Sequence, residues 1–360
     1  MIDIWVLDEN YRLKGVIDNY KSVIWTERLS ENGDFEIYCP NNSYNYNILS
    51  LNADVYVPVF ITRSDDQTKI GILTNVRYVH DVDNGDMIIA SGFTDDYLLH
   101  YRVVFEQSSY FGNTEYVLRH MVRNAMIQSE FQFVNRDISN MTLGNAIGLP
   151  DTYKVNVQLQ GDYLDEAVSR ICKDQGIGYL IDFDFSSHNF IFNLISGRDK
   201  PEIVFSTGLD NLLSSEYSSA NKPNTSYAIG AGNGVDRLVG QYDAYVIEKT
   251  GIYRQEFYVD AEKLSNNAES FDTLMYVNLL RSKAKQSLID KFGSGELVQS
   301  SVAANSYKLG IDYKLGDVVT VIIDIGVDQT QKKGIRQKII ETVECWDENG
   351  YTCEPTFESV

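Results

Sequence analysis

Residues 317–321 read Asp-Val-Val-Thr-Val, and the pattern that begins there occurs twice in the chain. Each copy has an Asp-Val strand, a Gly-Ile pair and an Asn-Gly pair in the same order, at residues 54–57, 71–72 and 84–85 in the first copy and at residues 317–321, 334–335 and 349–350 in the second. Asn-Gly between apolar runs indicates a two-residue hairpin, because both residues accept the positive φ of a type I′ turn. The pattern predicts two similar β modules, although any two antiparallel hairpins share such features.

The first 105 residues carry strand signals throughout. Residues 22–28 predict one strand, Asn32-Gly33 predicts a turn, and residues 35–38 predict the returning strand, which Pro40 ends. Residues 87–93 predict the second arm of the first Asn-Gly hairpin. The composition agrees with this interpretation, since 24 Tyr and 16 Phe against only 6 Pro favour β structure.

Two helices are predicted between residues 106 and 201. Thr114 is a suitable N-cap for the first helix, whose apolar residues share one face. The second helix lies between Gly161 and Gly176, where Asp162 can cap the start and Gly176 can adopt the left-handed conformation that ends a helix. Strands are predicted around this second helix, at residues 154–159, 178–185 and 189–195. We interpret the resulting β-α-β-β block as a small inserted α+β domain.

The last part of the chain returns to β structure around one long helix. Strand patterns occur at residues 203–205, 226–229, 242–248, 254–259 and from 298 onwards. The helix is predicted at about residues 270–292, with one apolar stripe formed by Leu274, Val277, Leu280, Ala284 and Leu288. The predicted fold class is therefore mainly β with an α+β insert, and the predicted domains are residues 1–105, 106–201 and 202–360. We expect the first and last domains to form two superposable β barrels.

Composition and charge limit the possible functions. A hydrophobic fraction of 43% fits a folded globular chain. The formal charge of −20 argues against a surface that grips nucleic acid, because such a surface needs Lys and Arg to neutralise phosphates. The N-terminus has no basic region followed by an apolar core, and no apolar run reaches the length of a membrane span. We therefore expect neither a signal peptide nor membrane insertion.

The cysteines and histidines do not predict a metal site. The four cysteines form no Cys-x-x-Cys motif, and the four histidines do not cluster with them in the sequence. Cys345 and Cys353 flank the second Asn-Gly pair, where a two-residue loop would place Cys353 opposite Trp346 and a three-residue loop would place the two cysteines opposite each other. We expect all four cysteines to be free thiols in a cytoplasmic product, namely Cys39, Cys172, Cys345 and Cys353.

Three local patterns are candidates for chemistry, and each has a simpler structural interpretation. Gly230–Gly234 resembles a phosphate-binding loop, but a strand pattern follows it where a helix would be needed. Asp182 and Asp184 share one face of a predicted strand, as carboxylates of a glycosidase or a cation site can do, but a solvated face explains them more simply. His80 lies beside two aspartates without any nucleophile motif, which indicates a surface ion pair. We therefore predict no catalytic, cofactor-binding or metal-binding residues.

Three blocks of sequence resemble one family. Residues 15–40, GVIDNYKSVIWTERLSENGDFEIYCP, closely resemble the opening of the tail-hub proteins of siphophages that infect Gram-positive bacteria, the Tal-like or siphovirus Gp37-like baseplate-hub family. Residues 307–321, YKLGIDYKLGDVVTV, resemble the C-terminal signature of that family. Residues 158–183, QLQGDYLDEAVSRICKDQGIGYLIDF, are similar to its inserted α/β domain. The resemblance covers nearly the whole chain, and its first and last blocks are the most specific.

The resemblance implies a structural role in a virion, without enzymatic activity or a cofactor. It implies a homotrimer at the distal end of the tail tube, in which each subunit supplies two tube-like β barrels to a pseudo-sixfold ring. The implied partners are the distal tail protein and tail tube, the tape-measure protein, and a tail fibre or receptor-binding protein. Such a hub is assembled in the host cytoplasm and opens to pass DNA without binding it specifically.

Two further expectations follow from the resemblance. Longer members of the family add a C-terminal fibre or a peptidoglycan hydrolase, which we do not expect in a chain that ends at Val360. The β-α-β-β block, at about residues 153–200, is expected outside the ring, because its helix has a single apolar stripe that suits one small sheet.

Two other functional classes remain open on sequence alone. The first is a cell-wall hydrolase of the tail tip, which an assay on peptidoglycan would reveal and which the lack of a catalytic cluster disfavours. The second is a monomeric β protein that binds carbohydrate of the host wall through an exposed Trp/Tyr platform. A phage-tail-like bacteriocin could also carry the same hub.

Overall fold

The structure is a computed structural model of the chain, and its described strands make the protein mainly β, as the sequence predicts. None of the described helices is long and apolar enough to cross a membrane. The structure describes all residues except 1, 53, 55, 81–84, 106–107, 130–135, 220, 232–236, 246–248, 263, 265–272, 293–295, 303–306, 326–330 and 360.

The first part of the chain confirms the strands predicted at residues 22–28, 35–38 and 87–93. Its elements are β1 (Ile4–Leu7), β2 (Leu13–Ile17), β3 (Ser22–Arg28), β4 (Asp34–Pro40), α1 (Ser43–Leu49), β5 (Phe60–Arg63), β6 (Ile70–Val79), β7 (Met87–Thr94) and a 3₁₀ helix (Asp95–Tyr101). The strand predicted at residues 22–28 is β3, and the one predicted at residues 35–38 lies inside β4. Alternate residues of β4 are buried, which places Phe35, Ile37 and Cys39 in the core.

The middle part contains both predicted helices, with corrected starts. Its elements are β8 (Val103–Val104), β9 (Ser108–Asn113), α2 (Thr114–Val122), a π-helical turn (Arg123–Ile127), β10 (Met141–Leu143), β11 (Lys154–Leu159), β12 (Asp162–Tyr163), α3 (Leu164–Gln175), β13 (Gly178–Asp184) and β14 (Asn189–Ile195). The N-cap of α2 is Asn113, whose side chain accepts two backbone hydrogen bonds, and Thr114 is already helical. Asp162 does not cap α3, because it lies in β12. Gly176 ends α3 at a φ of 63°, as predicted.

The strands predicted in the β-α-β-β block are present, and the first of them has its predicted bounds at residues 154–159, but they do not form a single sheet. β13 and β14 form the expected antiparallel hairpin, and β10 pairs with β14 in parallel. β11 pairs with β9 and not with the hairpin. The reason is packing, since the buried Val155, Val157 and Leu159 of β11 contribute to the same core as helices α2 and α3.

The last part of the chain surrounds one long helix with strands. Its elements are β15 (Asp199–Ser206), β16 (Leu212–Ser219), β17 (Thr225–Ile229), β18 (Val239–Asp243), β19 (Glu256–Asp260), α4 (Thr273–Phe292), β20 (Glu296–Val302), β21 (Val318–Ile325), β22 (Gln331–Asp347) and β23 (Gly350–Ser359), with 3₁₀ turns at Thr207–Leu209 and Gly251–Tyr253. The strand predicted at residues 242–248 corresponds to β18, which begins three residues earlier and ends at Asp243.

The buried face of α4 differs from the predicted stripe at its start. Leu280, Ala284 and Leu288 are buried as expected, but Leu274 is 62% exposed. Tyr276 is buried in this turn, because its hydroxyl group accepts a hydrogen bond from the backbone of Ala231 at 3.1 Å and donates one to the backbone of Leu264 at 2.8 Å. The two hydrogen bonds of the Tyr276 hydroxyl group thus determine which face of the first turn of α4 is buried. The spacing of apolar residues in the sequence does not show these hydrogen bonds.

Most described strands join one sheet of 13 strands. The order along it is β16-β20-β23-β22-β3-β4-β7-β6-β5-β1-β2, with β21 beside β22 and β15 beside β21. β22 is 17 residues long and connects the two ends of the chain. Its residues 331–338 pair with β21, and its residues 341–347 pair with β3.

The two tube-like barrels expected from the sequence are not closed by the strand pairings of the described residues. The path of the sheet ends at β16 and β2, which do not pair with each other. We call β1–β7 with the following 3₁₀ helix the N-terminal module, and β15, β16 and β20–β23 the C-terminal module. The length of β22 explains the difference, because its residues 331–338 pair within the C-terminal module and its residues 341–347 pair with β3 of the N-terminal module. The two modules are therefore regions of one continuous sheet.

In the predicted internal repeat, the two Gly-Ile pairs occupy equivalent strands, but the two Asp-Val stretches do not. Gly71 pairs with β5 and Gly334 pairs with β21, so both lie in the second strand of a three-strand meander. Asp54 lies in an exposed bend before β5, and residues 54–57 form no strand in the described part of this segment. Asp317 by contrast is buried immediately before β21. The two Asp-Val stretches have the same local pattern but not the same environment.

The second Asn-Gly hairpin is shifted by one residue from its predicted position. Asp347 pairs with Gly350, so Glu348 and Asn349 form the loop and Gly350 lies in the strand with a φ of 119°. Cys353 therefore pairs with Glu344, which corrects both predicted alternatives for the cysteines. All four cysteines are free thiols in this structure. Asn84 of the first Asn-Gly pair lies outside the described residues.

One apolar core extends across the predicted boundary at residue 105. It contains Leu7, Phe60 and Ile72 from the N-terminal strands together with residues of α2, α3 and the β13–β14 hairpin. The inserted segment is consequently packed onto the large sheet. The domain boundaries at residues 105 and 201 stay a prediction.

Candidate functional site

A polar cavity of about 740 Å³ lies where three parts of the chain meet. We call it the junction cavity, and its walls come from β3, the β5–β6 hairpin, the start of the 3₁₀ helix, β13, residues 309–315 and β22. Its carboxyl groups outnumber its cationic groups, since the ionisable lining residues are Glu27, Arg28, Arg63, Asp65, Asp66, Lys69, Asp95, Asp96, Asp182, Lys314 and Glu344.

Arg63 joins the N-terminal and C-terminal modules inside this cavity. Its side chain is 5% exposed and forms ion pairs with Glu344 at 2.7 Å and with Asp65 at 3.0 Å. The guanidinium group also lies over the ring of Trp346 at 4.4 Å and near that of Trp25 at 5.5 Å. Burial by itself lowers the pKa of Arg63, but the charge of Glu344 and the hydrogen bonds from Arg63 to both carboxylates outweigh it, so the pKa is raised. Arg63 therefore stays charged and holds β5 against β22.

Three further ion pairs connect β3 to neighbouring segments. Lys69 pairs with Glu27 at 2.8 Å; burial lowers the pKa of Lys69, but the charge and hydrogen bond of Glu27, together with the charges of Asp95 and Asp182, raise it above its ordinary value. Arg28 pairs with Asp34 on β4 and with Glu341 on β22 at 2.6 and 2.7 Å. The charges of the cavity wall are thus used mainly to connect strands that are far apart in the sequence.

Asp95 and Asp96 are buried carboxyl groups at the start of the 3₁₀ helix, exposed by only 4% and 7%. Burial raises the pKa of both groups, and the proximity of Asp96 raises that of Asp95 further. Oδ1 of Asp96 accepts a hydrogen bond from the backbone N–H of Ile181 on β13 at 2.6 Å. Oδ2 of Asp95 is buried and has no hydrogen-bond partner among the described residues.

The outer edge of β13 is attached to the N-terminal module by three backbone N–H groups. Tyr179 donates to the carbonyl of Leu29 at 3.0 Å, and Phe183 donates to the carbonyl of Thr68 at 3.1 Å. The central donor, Ile181, is the one that uses the side chain of Asp96. The inserted segment is therefore positioned on the large sheet by hydrogen bonds as well as by its shared core.

The end of the C-terminal sequence block, Gly316 and Asp317, packs against the short segment between β14 and β15. This contact explains why the block has a glycine followed by an aspartate there. Asp317 is buried and accepts hydrogen bonds from the backbone of Arg198 at 2.8 Å and of Lys314 at 2.9 Å. Gly316 has a φ of 89°, which favours glycine. A Cβ atom at Gly197 would lie 1.6 Å from the carbonyl oxygen of Gly316, so the two backbones touch.

Gly197→Ala is expected to destabilise the protein by the upper part of the range of about 1–3 kcal/mol typical of overpacking, because its methyl group meets backbone and not a flexible side chain. Chemical denaturation measures the change. Gly334→Ala is the matched control, since a Cβ there meets only Ile322 at 4.0 Å. Equal effects of the two substitutions would contradict the close contact.

The predicted loop Gly230–Gly234 connects two antiparallel strands, β17 and β18, as the simpler interpretation required. Gly230 accepts a hydrogen bond from Arg237, while residues 232–234 lie outside the described part.

Asp184 caps the turn after β13, where hydrogen bonds from Ser186 and Ser187 lower its pKa to about 2. The predicted alternation is present, since Asp182 and Asp184 are half-buried while Ile181 and Phe183 are buried; Asp182 also lines the junction cavity, where burial raises its pKa.

The four histidines lie in separate places. His80 pairs with Asp86, whereas its two sequence neighbours Asp81 and Asp83 lie outside the described residues. His100 contacts Asp165 at 3.0 Å and is stacked between Tyr97 and Tyr163, while His120 and His188 contact other aromatic rings. The described part of the chain contains no group of three or more His, Cys, Asp or Glu residues that could hold a metal ion.

The sequence did not identify Arg63, Asp95 and Asp96 as important. The adjacent carboxyl groups after β7 were a possible signal, since two neighbouring aspartates in a segment rich in buried residues need a partner or a proton. Arg63 ends a strand whose residues are all buried, which was the corresponding signal for a paired cation.

Solved structures of phage tail proteins have a similar fold. The 43 kDa tail protein of prophage MuSo2 from Shewanella oneidensis is 11% identical, with a TM-score of 0.58 over 99% of this chain and 98% of that one. A tail protein from Neisseria meningitidis MC58 is 13% identical, with a TM-score of 0.59 over 99% and 96%. Prophage tail protein gp18 from Listeria monocytogenes EGD-e is 13% identical, with a TM-score of 0.51 over 99% and 94%. The fold of this chain is thus one that phage tail proteins adopt.

A family model described as Siphovirus ReqiPepy6 Gp37-like protein matches residues 2–357. The chain therefore belongs to the siphovirus Gp37-like family, which confirms the family predicted from the three sequence blocks. A comparison with curated protein sequences gives no significant match.

Proposed function

We propose that this protein is a structural hub of the phage tail tip, a homotrimer that closes the distal end of the tail tube. The family match across residues 2–357 is the observation that carries the proposal. The long strand β22 supports it, because pairing with both β21 and β3 makes one rigid sheet from the two modules that a ring would need. Two ion pairs in the cavity wall, Arg28–Glu341 and Arg63–Glu344, connect strands that are far apart in the sequence, which fits a mechanical role.

The proposed partners are the distal tail protein and tail tube above the ring, the tape-measure protein inside it, and a fibre or receptor-binding protein below it. The proposed hub has no catalytic role. Cryo-electron microscopy of purified particles tests the placement, with density for this chain expected at the tip and the segment at residues 153–200 outside the ring. Density along the tube shaft, or that segment on the channel axis, would refute the arrangement.

The charge of the chain suggests how the proposed hub passes DNA. Asp and Glu number 51 against 31 Lys and Arg, so a trimer is expected to have an acidic or neutral lumen. Like-charge repulsion then prevents the counterion-release affinity that would retain the duplex.

We expect the purified protein to show no tight binding to duplex DNA at moderate salt in an electrophoretic mobility assay. Tight binding under these conditions, or a lumen lined mainly by Lys and Arg in a particle structure, would contradict this prediction. A net acidic surface confined to the outside of the ring would produce that second result.

A further inference from the structure

The contact between the N-terminal module and the inserted segment contains two carboxyl groups that lack a cation of their own. Arg63 is paired with Glu344 and Asp65, and Lys69 is paired with Glu27. Asp95 and Asp96 form no ion pair within 4 Å among the described residues, although Lys69 is close enough to act on both through its charge.

The position of these carboxyl groups links their charge to the docking of β13. Ile181 N–H is the central of the three donors on the edge of β13, and Asp96 is its acceptor. Asp95 directly precedes Asp96, and its buried Oδ2 has no hydrogen-bond partner in the part of the chain that the structure describes. A protonated Asp96 can still accept the hydrogen bond at Oδ1 while its other oxygen carries the proton, so docking does not require a charged group.

We propose that Asp95 and Asp96 form a proton-controlled joint, which holds the β13–β14 hairpin on the N-terminal module when it is protonated and loosens it when both groups ionise. The charged groups around the pair are Glu27 from β3, Lys69 from the β5–β6 hairpin and Asp182 from β13, with Lys314 of the 309–315 loop on the cavity wall. Glu27 neutralises Lys69 in large part, and Asp182 adds a further negative charge. The negative charges of Glu27 and Asp182 therefore oppose the ionisation of the second carboxyl group after the first has lost its proton.

The direction of the pH dependence follows from the raised pKa values. Burial is the main cause that raises the pKa of both Asp95 and Asp96 above the ordinary aspartate value, and for Asp96 it outweighs the hydrogen bond from Ile181 and the charge of Lys69, which lower the pKa. Asp95 and Asp96 thus bind protons more tightly when the β13–β14 hairpin is docked than when it is released. Its stabilisation is complete below the ordinary aspartate pKa and is lost as the pH rises through the raised values.

Hydrogen–deuterium exchange of the full chain between pH 5 and 9 tests the joint, after correction for the intrinsic exchange rate. The opening constant of the amides of Tyr179, Ile181 and Phe183 is expected to rise by up to about tenfold per pH unit for each group that ionises. Amides in the β3–β4 ladder serve as an internal reference, since no carboxyl of the pair contacts them, and are expected to change less.

The double variant Asp95→Asn/Asp96→Asn is expected to remove this pH dependence, because the asparagine at position 96 still offers an acceptor oxygen. Asp184→Asn is the matched control on the same strand, since Asp184 with its pKa of about 2 is charged throughout this range and its replacement keeps the slope. A wild-type slope that is flat, or a slope retained in the double variant, would overturn the proposal.

An infrared measurement keeps the proposal testable if the double variant fails to fold. The wild-type protein at pH 6 is expected to show the carbonyl band of a protonated, buried carboxylic acid, and this band should disappear as the pH is raised to 9. Absence of the band at pH 6 would show that the pair is already ionised and would refute the joint.

Discussion

Arg63→Ala is expected to lower the free energy of unfolding by about 3–5 kcal/mol, because it leaves a carboxylate uncompensated in the interior. Glu344 is only 10% exposed, and among the described side chains it would keep the hydrogen bond from Tyr351 at 2.8 Å but no cation. The substitution also removes the cation from the face of Trp346, so the contact between β5 and β22 loses packing as well as charge. Urea denaturation at pH 7 measures the change.

Two further variants test whether the loss in Arg63→Ala comes from leaving Glu344 buried without a cation. Arg77→Ala is the exposed control, since its side chain is 57% exposed and 3.6 Å from Glu36, and it is expected to change stability by less than about 1 kcal/mol. The double variant Arg63→Met/Glu344→Leu removes both charges and is expected to recover most of the loss. If Arg63→Ala were as mild as Arg77→Ala, the pair would not connect the two modules.

Trp25→Ala is expected to cost about 3–5 kcal/mol, because Trp25 is 1% exposed and its removal leaves a large cavity. Its ring is stacked on Phe35 at 5.4 Å and faces Arg63, so it belongs to both the N-terminal core and the junction. Denaturation by urea, monitored by far-ultraviolet circular dichroism, measures the loss without relying on the tryptophan signal.

Trp25→Phe is the matched control for the ring itself. Nε1 of Trp25 is buried and has no hydrogen-bond partner among the described residues, so phenylalanine removes an unsatisfied donor while it keeps an aromatic ring. We expect a loss well below that of Trp25→Ala. A loss as large as that of alanine would mean that the indole N–H has a partner that the structure lacks.

Local periodicity predicted the elements whose burial follows a simple repeat. The strand at residues 22–28 was predicted with its final bounds, and Gly176 marked the end of α3, because alternation and a left-handed C-terminus are properties of adjacent residues. The apolar face of α4 was predicted correctly from Leu280 onwards. Its first turn was not, because two hydrogen bonds of Tyr276 decide it.

Pairings between distant segments could not be predicted in this way. Arg63 and Glu344 are 281 positions apart, and nothing near either residue identifies the other. The same limit explains the error at Asp54, whose sequence context matches that of Asp317 although one residue is exposed and the other is buried. The position of Asp182 in the junction cavity depends on distant segments in the same way, since Glu27 and Glu344 line that cavity too. The family resemblance supplied what local patterns could not, namely the class of protein.

The mass of the assembled protein tests the central claim most directly. We expect a trimer, with a native mass three times the chain mass of 40.9 kDa, measured by light scattering on the purified protein and by native mass spectrometry on the tail-tip complex. A stable monomer in both measurements, or an assembly that is not a multiple of three chains, would contradict the proposed hub.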